Sequence, residues 1–231
     1  HRLFGTSGIR GVVNADFDPI FAMRIGMALT NVLKKGMLTV ARDTRTSGQT
    51  LSSAFVAGVI AGGLEVTDLG VLPTPVLAYL TRSLRAASGA MITASHNPPE
   101  FNGIKLFDTE GKAYSDALQS QIEHAICCEE LACAGWDLLG EVSSADRSFQ
   151  YVEMILSRME LEKTWKVAVD FGSGAAYQVG FELLRSLRCR TVSLNAQPDG
   201  VFPGRSPEPT PESLSALMMT CLLYTSDAAD E

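Results

Sequence analysis

Apolar runs long enough to cross a bilayer are missing from this sequence; none approaches the roughly 20 residues of a spanning helix. Basic residues are scarce too. Lys and Arg number 19 against 26 Asp and Glu, a formal charge of −7, which argues against the footprint of a nucleic-acid binder and against adhesion to an anionic membrane. A small anionic substrate would therefore need a locally basic pocket. Histidine occurs three times, and Cys127, Cys128, Cys133, Cys189 and Cys221 form no Cys-x-x-Cys pair, so no zinc spacing is present. Free, buried thiols in a reducing compartment are the expectation. The segment His1–Gly5 lacks the charged-then-apolar order of a secretory signal, and the cytoplasm is the expected address. A start at His1 rather than methionine leads us to expect residues upstream.

What is present is a chain of 231 residues, 46% of them hydrophobic, enough for one large or two modest domains with real cores. Asp18-Pro19 opens a helix with Ile20, Met23 and Met27 at helical spacing, closed by Gly36. Met37–Ala41 reads as a buried strand, Leu51 to Val59 as a helix stopped by Gly62-Gly63, and Leu64–Leu69 as the next strand. Thr74-Pro75 starts a helix to about Leu84, Ala90–Ile92 is a strand, Ile104–Phe107 a returning strand, and Ser115 caps a helix through Ile126. After a loose stretch, Phe149, Val152, Leu156 and Met159 form a helical stripe. The strand Trp165–Asp170, the turn Gly172–Gly174, a helix over Ala175–Leu187 and the strand Thr191–Leu194 then begin a second unit. This alternation predicts an α/β fold of mixed, largely parallel sheets with crossover helices, in which ligands gather at the carboxyl ends of strands. We expect a complete domain over 1–140, the start of a similar one over 141–220, and a tail of doubtful origin over 221–231. The stretch Pro198–Glu212, with five prolines and two glycines, reads on composition as a linker.

The densest chemistry is Thr93-Ala-Ser-His-Asn-Pro-Pro-Glu-Phe-Asn-Gly-Ile-Lys105, which follows the Ala90–Ile92 strand. Its prolines fix the backbone and push their predecessors out of the helical region, so Ser95 and His96 are presented by a stiff loop. Ser95 could be a nucleophile activated by His96, a hydroxyl that carries a phosphoryl group beside Lys105, or part of an ordinary polar turn. For an arbitrary Ser-His pair the turn is favoured, and no Gly-x-Ser-x-Gly elbow surrounds this serine. Lys105 in a short apolar strand reads by default as an edge residue with its ammonium in water. Leu3–Gly11 reads as a glycine-rich turn with Arg10 solvated, and Arg42-Asp43-Thr44-Arg45 as a surface charge cluster at a strand end. The Gly172–Gly174 turn is placed to bind phosphate at a helix N-terminus, but a strand-to-helix turn needs glycine for its geometry in any case.

The motif from Thr93 to Pro98 followed by Asn102-Gly-Ile-Lys105 resembles the phosphoserine loop of the α-D-phosphohexomutase superfamily, the phosphoglucomutases and phosphomannomutases, including phosphoglucosamine mutase. Phe4-Gly-Thr-Ser-Gly-Ile-Arg-Gly11 is similar to the superfamily's opening motif, and Asp199-Gly-x-Phe-Pro-Gly-Arg205 with Pro207-Glu-Pro-x-Pro-Glu212 to part of its second domain. The likeness covers residues 3 to 220, roughly the first half of the superfamily's architecture. It implies a mutase that moves a phosphoryl group within hexose phosphates through a phosphorylated Ser95 and a hexose bisphosphate. Lys105 would handle the sugar proton, His96 would hold the serine loop, and Arg10, Thr6 and Ser7 would contact substrate. Arg42 and Arg45 would support the cleft. It also implies Mg²⁺ on the phosphorylated Ser95, with hexose phosphates rather than nucleic acid or membrane as partners and with no indication of oligomeric state. The superfamily's Asp-Gly-Asp-x-Asp-Arg metal loop has no counterpart here, nor do its sugar-reading and phosphate-binding domains. Asp227, Asp230 and Glu231 read as a solvated tail, so a fragment with negligible turnover is expected. Two alternatives are a phosphosugar hydrolase using Ser95 and a non-catalytic sugar-phosphate binding domain.

Overall fold

A computed structural model describes residues 3–5, 8–128 and 131–226. The elements run β1 (Ile9–Val12), α1 (Pro19–Leu33), β2 (Met37–Arg42), α2 (Gly48–Ala61), β3 (Glu65–Val71), α3 (Thr74–Ser83), β4 (Ser88–Ile92), β5 (Phe101–Phe107), α4 (Asp116–Cys127), β6 (Val142–Ser144), α5 (Ser148–Leu156), β7 (Lys166–Asp170), α6 (Tyr177–Ser186), β8 (Arg190–Leu194) and α7 (Ser215–Ser226). Six strands form one sheet in the order β1-β5-β4-β2-β3-β6, and β7 pairs with β8 in a second. β4, β2, β3 and β6 run parallel to one another, while β5 is antiparallel to both of its neighbours. The mixed, largely parallel α/β reading therefore holds.

Local chemistry explains most element ends. The Asp18 carboxylate accepts from the Phe21 N–H at 2.7 Å and Pro19 occupies the first turn of α1, where a missing N–H costs nothing. That helix stops at Leu33, before Gly36, with Lys34 in the left-handed region donating its N–H to the Thr30 carbonyl. Ser115 caps α4 as expected.

Every residue of β4 is buried, as a strand covered on both faces must be. Its alternation feeds two cores. Ala90 and Ile92 join Ile25, Leu29, Leu38, Val40, Phe55 and Ile122 beneath α1, α2 and α4. Met91 joins Leu77, Leu80, Val152 and Val179 beneath α3, where α5 and α6 also pack. Helices α1 and α2 cross at Gly26 and Gly58, where added Cβ atoms would fall 2.4 Å from the Phe55 carbonyl oxygen and 2.1 Å from that of Met23.

Several expectations need correction. Ile9–Val12 is a strand rather than part of a glycine turn, so Arg10 sits in the sheet and not in a loop. β5 is flanked on both sides, which removes Lys105 from the sheet edge. The three residues of β6 pair with β3, so the range beginning at 141 contributes the last strand of the first sheet before α5 leads away. The cysteines are not in disulfides and are not buried: Cys127, Cys128, Cys133 and Cys221 are exposed and Cys189 is half-buried. Among the described residues no helix is long and apolar enough to span a membrane.

Candidate active site

β4 ends at Ile92 and hands the chain through Thr93 and Ala94 to Ser95, which is exposed at the head of its loop. Ser95 has φ of 59°, the left-handed region that costs an L-residue roughly 1–2 kcal/mol, so the surrounding contacts must hold it there. Thr93 supplies one: its hydroxyl accepts the Ser95 N–H at 2.9 Å while donating to Asp43 Oδ2 at 2.6 Å. Within the loop, Asn97 N–H donates to the Ala94 carbonyl and Phe101 N–H to that of Pro98.

Beneath the loop lies Arg45, its side chain without solvent exposure. Nε donates to Asp43 Oδ2 at 3.1 Å, Nη1 to the carbonyls of Pro98 and Phe101 at 2.6 and 2.8 Å, and Nη2 to those of Ser95 and Asn97 at 3.0 and 2.7 Å. Burial pushes the Asp43 carboxyl above its usual range, and the Thr93 hydroxyl and the Arg45 charge pull it part of the way back. Asn102 is fully buried; it donates to Ser47 Oγ at 2.9 Å and accepts from the Gly103 N–H, fixing the loop's far end to the start of α2.

Arg10 faces Gly103 across β1 and β5, and its Nη1 donates to Asn97 Oδ1 at 2.9 Å, which ties β1 to the serine loop. Its Nε is buried without an acceptor among the described residues. Desolvation first and the Arg45 charge second lower its pKa from the ordinary value. A cation with an unanswered donor is prepared for an anion. Lys105, opposite Met91 on β5, is half-buried and borders a cavity of about 230 Å³ with Phe4, Gly8, Thr74 and Tyr114. Burial lowers its pKa most and Arg10 adds to that, against a smaller opposing pull from Asp43.

His96 departs from expectation. Its Nε2 lies 3.3 Å from Glu208 Oε2, a residue of the Pro-rich stretch, so its imidazole reaches the second domain rather than its own loop. Thr6 and Ser7 lie outside the described residues. That Pro-rich stretch is no loose linker. The Phe202 ring lies 5.3 Å from Arg45 Cζ and an added Cβ at Gly200 would sit 2.4 Å from Thr46 N, while beside it the Ser173 carbonyl of the Gly172–Gly174 turn accepts from Thr44 Oγ1 at 2.9 Å. Arg205, which the motif singled out without a role, donates to Asp170 Oδ2 at 3.0 Å and braces the second sheet. Ser173, in the Gly172–Gly174 turn, donates its N–H to the Asn195 carbonyl and accepts the Asp199 N–H and the Thr44 hydroxyl, so its backbone serves structure.

The residues around Ser95 do not make a Mg²⁺ site by themselves. Mg²⁺ demands near-octahedral oxygen ligation, yet Asp43 is engaged by Thr93 and Arg45 and Glu208 faces His96. Among the described residues no group of three or more His, Cys, Asp or Glu is arranged to hold a metal.

Comparison with known proteins follows the same lines. Residues 1–131 match the family model described as phosphoglucomutase/phosphomannomutase, alpha/beta/alpha domain I, and residues 149–228 match domain II. A probable phosphoglucosamine mutase of Methanothermobacter thermautotrophicus is 43% identical over 228 residues, covering 95% of this chain and 49% of the relative. A phosphoglucomutase/phosphomannomutase of Thermococcus kodakarensis is 41% identical over 226 residues, covering 94% and 50%. Among solved structures, a phosphoglucomutase/phosphomannomutase family protein of Burkholderia thailandensis superposes with a TM-score of 0.86 at 31% identity, over 95% of this chain and 49% of that one. The chain thus spans about half the length of the curated relatives it matches.

Proposed function

The chain belongs to the phosphoglucomutase/phosphomannomutase family, and on that premise we propose that it forms the phosphoryl-carrying half of a cytoplasmic hexose-phosphate mutase. Ser95 is the carrier. With its hydroxyl phosphorylated, the Oγ–P bond breaks as a bond forms from phosphorus to a hexose hydroxyl oxygen; that hydroxyl's proton passes to the Lys105 amine and the departing Ser95 Oγ takes a proton from solvent. The hexose bisphosphate then reorients. Its other phosphoryl group returns to Ser95 Oγ, which gives its proton back to solvent, and the proton on Lys105 goes to the departing sugar oxygen. Such transfers depend chiefly on alignment and charge neutralisation. Arg10, held at Asn97 with a spare donor, is the substrate clamp. Lys105 is suited to proton transfer because its lowered pKa raises the neutral fraction that can accept. His96 fastens the serine loop to the second domain, and Thr6 and Ser7 belong to the substrate side by their place in the opening motif. Mg²⁺, which the resemblance implies, would neutralise charge at the phosphoryl group, and the residues around Ser95 do not hold it by themselves.

The observation that carries the reading is the geometry of Ser95: exposed, left-handed and pinned from below, beside an arginine tied to its own loop. The test is incubation of the 231-residue chain with a hexose 1,6-bisphosphate, followed by intact mass and peptide mapping. One added phosphoryl group on Ser95, absent in Ser95→Ala, is expected, with negligible multiple turnover of hexose monophosphate. Release of inorganic phosphate from glucose 1-phosphate, in place of phosphoryl retention, would favour the hydrolase. No phosphoryl transfer to this serine would leave only sugar-phosphate binding.

A further inference from the structure

Arg45 is a large and costly side chain to bury. Taking a guanidinium out of water costs several kcal/mol, and a buried ion pair rarely repays that better than apolar residues would, so a role in fixing geometry is the physical alternative. Its partners point the same way. One acceptor is a carboxylate; the other four are main-chain carbonyls of residues 95, 97, 98 and 101, all in the serine loop. All five guanidinium N–H groups are thereby used in one plane, an arrangement that the three donors of a lysine ammonium cannot reproduce. The cover over this group comes from the second domain, whose Phe202 lies over the guanidinium and whose Gly200 touches the backbone of residues 44–46.

We infer that Arg45 is the positioning residue that holds Ser95 in its phosphoryl-accepting conformation, and that the second domain completes this hold by seating Phe202 on the guanidinium. Only the functional readout rests on the mutase reading; the loop's dependence on Arg45 stands apart from it. Arg45 does not touch substrate. It acts through the carbonyls of the loop, and domain seating is thereby coupled to the reactivity of the serine.

Two variants of the whole chain test this, Arg45→Lys and Phe202→Ala, each compared with the parent by amide hydrogen exchange and by the rate of Ser95 phosphorylation in Mg²⁺ buffer with a hexose 1,6-bisphosphate. In Arg45→Lys, exchange at the amides of Ser95, Asn97 and Phe101 should rise about tenfold while β2 and β4 keep their protection, as a local loss of charged hydrogen bonds requires. Phosphorylation at saturating bisphosphate should slow by about tenfold with the half-saturating concentration unchanged, since substrate contacts are intact. Phe202→Ala should move both readouts the same way, by about threefold. If Arg45→Lys fails to fold, Phe202→Ala alone decides. Loop exchange indistinguishable from the parent in the folded variants overturns the inference. A parent chain that never accepts phosphoryl overturns the mutase reading instead, and the exchange pattern still judges Arg45.

Discussion

At the scale of single residues, the serine loop depends on contacts between distant positions that the sequence does not announce. Thr93 is buried and its hydroxyl serves twice, toward Asp43 and toward the Ser95 N–H. Thr93→Val keeps the shape and removes both bonds, so it should cost about 1–3 kcal/mol in a denaturant titration, the penalty for stranding buried polar groups. The loss should depend on pH. Because burial already holds Asp43 above its ordinary 3.8, the native state binds more protons than the unfolded chain in the window from 3.8 up to that raised pKa, and stability falls as pH climbs through it. Removing the Thr93 donor should steepen that fall, and an unchanged slope would contradict the assigned bond. Lys105 gives a kinetic prediction. A proton acceptor must be neutral, and burial brings its pKa down from 10.5, so the acid limb of the transfer rate should end below that value. Lys105→Arg, charged at every accessible pH, should lose roughly 10²–10⁴ in rate with bisphosphate binding retained. Full activity in that variant would remove Lys105 from proton transfer. Ser95 and Lys105 were legible in the sequence because both fall within one thirteen-residue motif. Thr93 opens that motif and the resemblance gave Arg45 as cleft support, but the bonds that join Thr93, Asp43 and Arg45 to the loop link residues about fifty positions apart, and no local pattern announces those contacts.

At the scale of elements, apolar periodicity gave most of the helices and the central strands, since each of those carries enough buried residues to impose a period. β1 escaped that reading. It is four residues long and includes Gly11, and its identity comes from pairing with β5 rather than from its own composition. Missing it placed Arg10 in a loop, when its position is set by the register Arg10 to Gly103. That register requires glycine at 103 for space: an added Cβ would lie 2.1 Å from the Ile9 carbonyl oxygen and 2.9 Å from Arg10 Cα, both backbone atoms that cannot swing aside. Gly103→Ala should therefore push β1 away, cost on the order of 1–3 kcal/mol by overpacking and break the bond from Arg10 to Asn97. Thermal melting should fall, and the half-saturating hexose bisphosphate concentration should rise about tenfold as a charged contact is lost. A variant that melts lower but binds as before would separate the strand's structural part from Arg10's role as a clamp.

At the scale of the whole molecule, two domains meet over the serine loop, and this was the least legible level. The Pro-rich stretch read as a linker because prolines and glycines describe an extended backbone without saying what it rests against. The second domain's docking is specified by tertiary contacts: Thr44 to Ser173 in the Gly172–Gly174 turn, Phe202 over Arg45, His96 to Glu208. The first is a neutral hydrogen bond and the last joins two half-exposed groups, which is worth little in water. Fit at Gly200 must therefore carry much of the specificity. A Cβ there would lie 2.4 Å from Thr46 N, 2.6 Å from the Thr44 carbonyl oxygen and 2.8 Å from the Arg45 carbonyl carbon, with backbone on every side. Gly200→Ala should lift the loop off the first domain. The core beneath α1, α2 and α4 does not depend on this contact, whereas the core beneath α3 is shared with Val152 of α5 and Val179 of α6. Calorimetry should then show a transition that begins lower and is broader than the parent's, because the shared core beneath α3 loses part of its support while the core beneath α1, α2 and α4 does not. Ser95 phosphorylation should slow in the same variant, since Phe202 leaves Arg45 with the loop. One transition at the parent temperature would mean that the interface tolerates the methyl group, and that the second domain is held chiefly by α5 and α6 against α3.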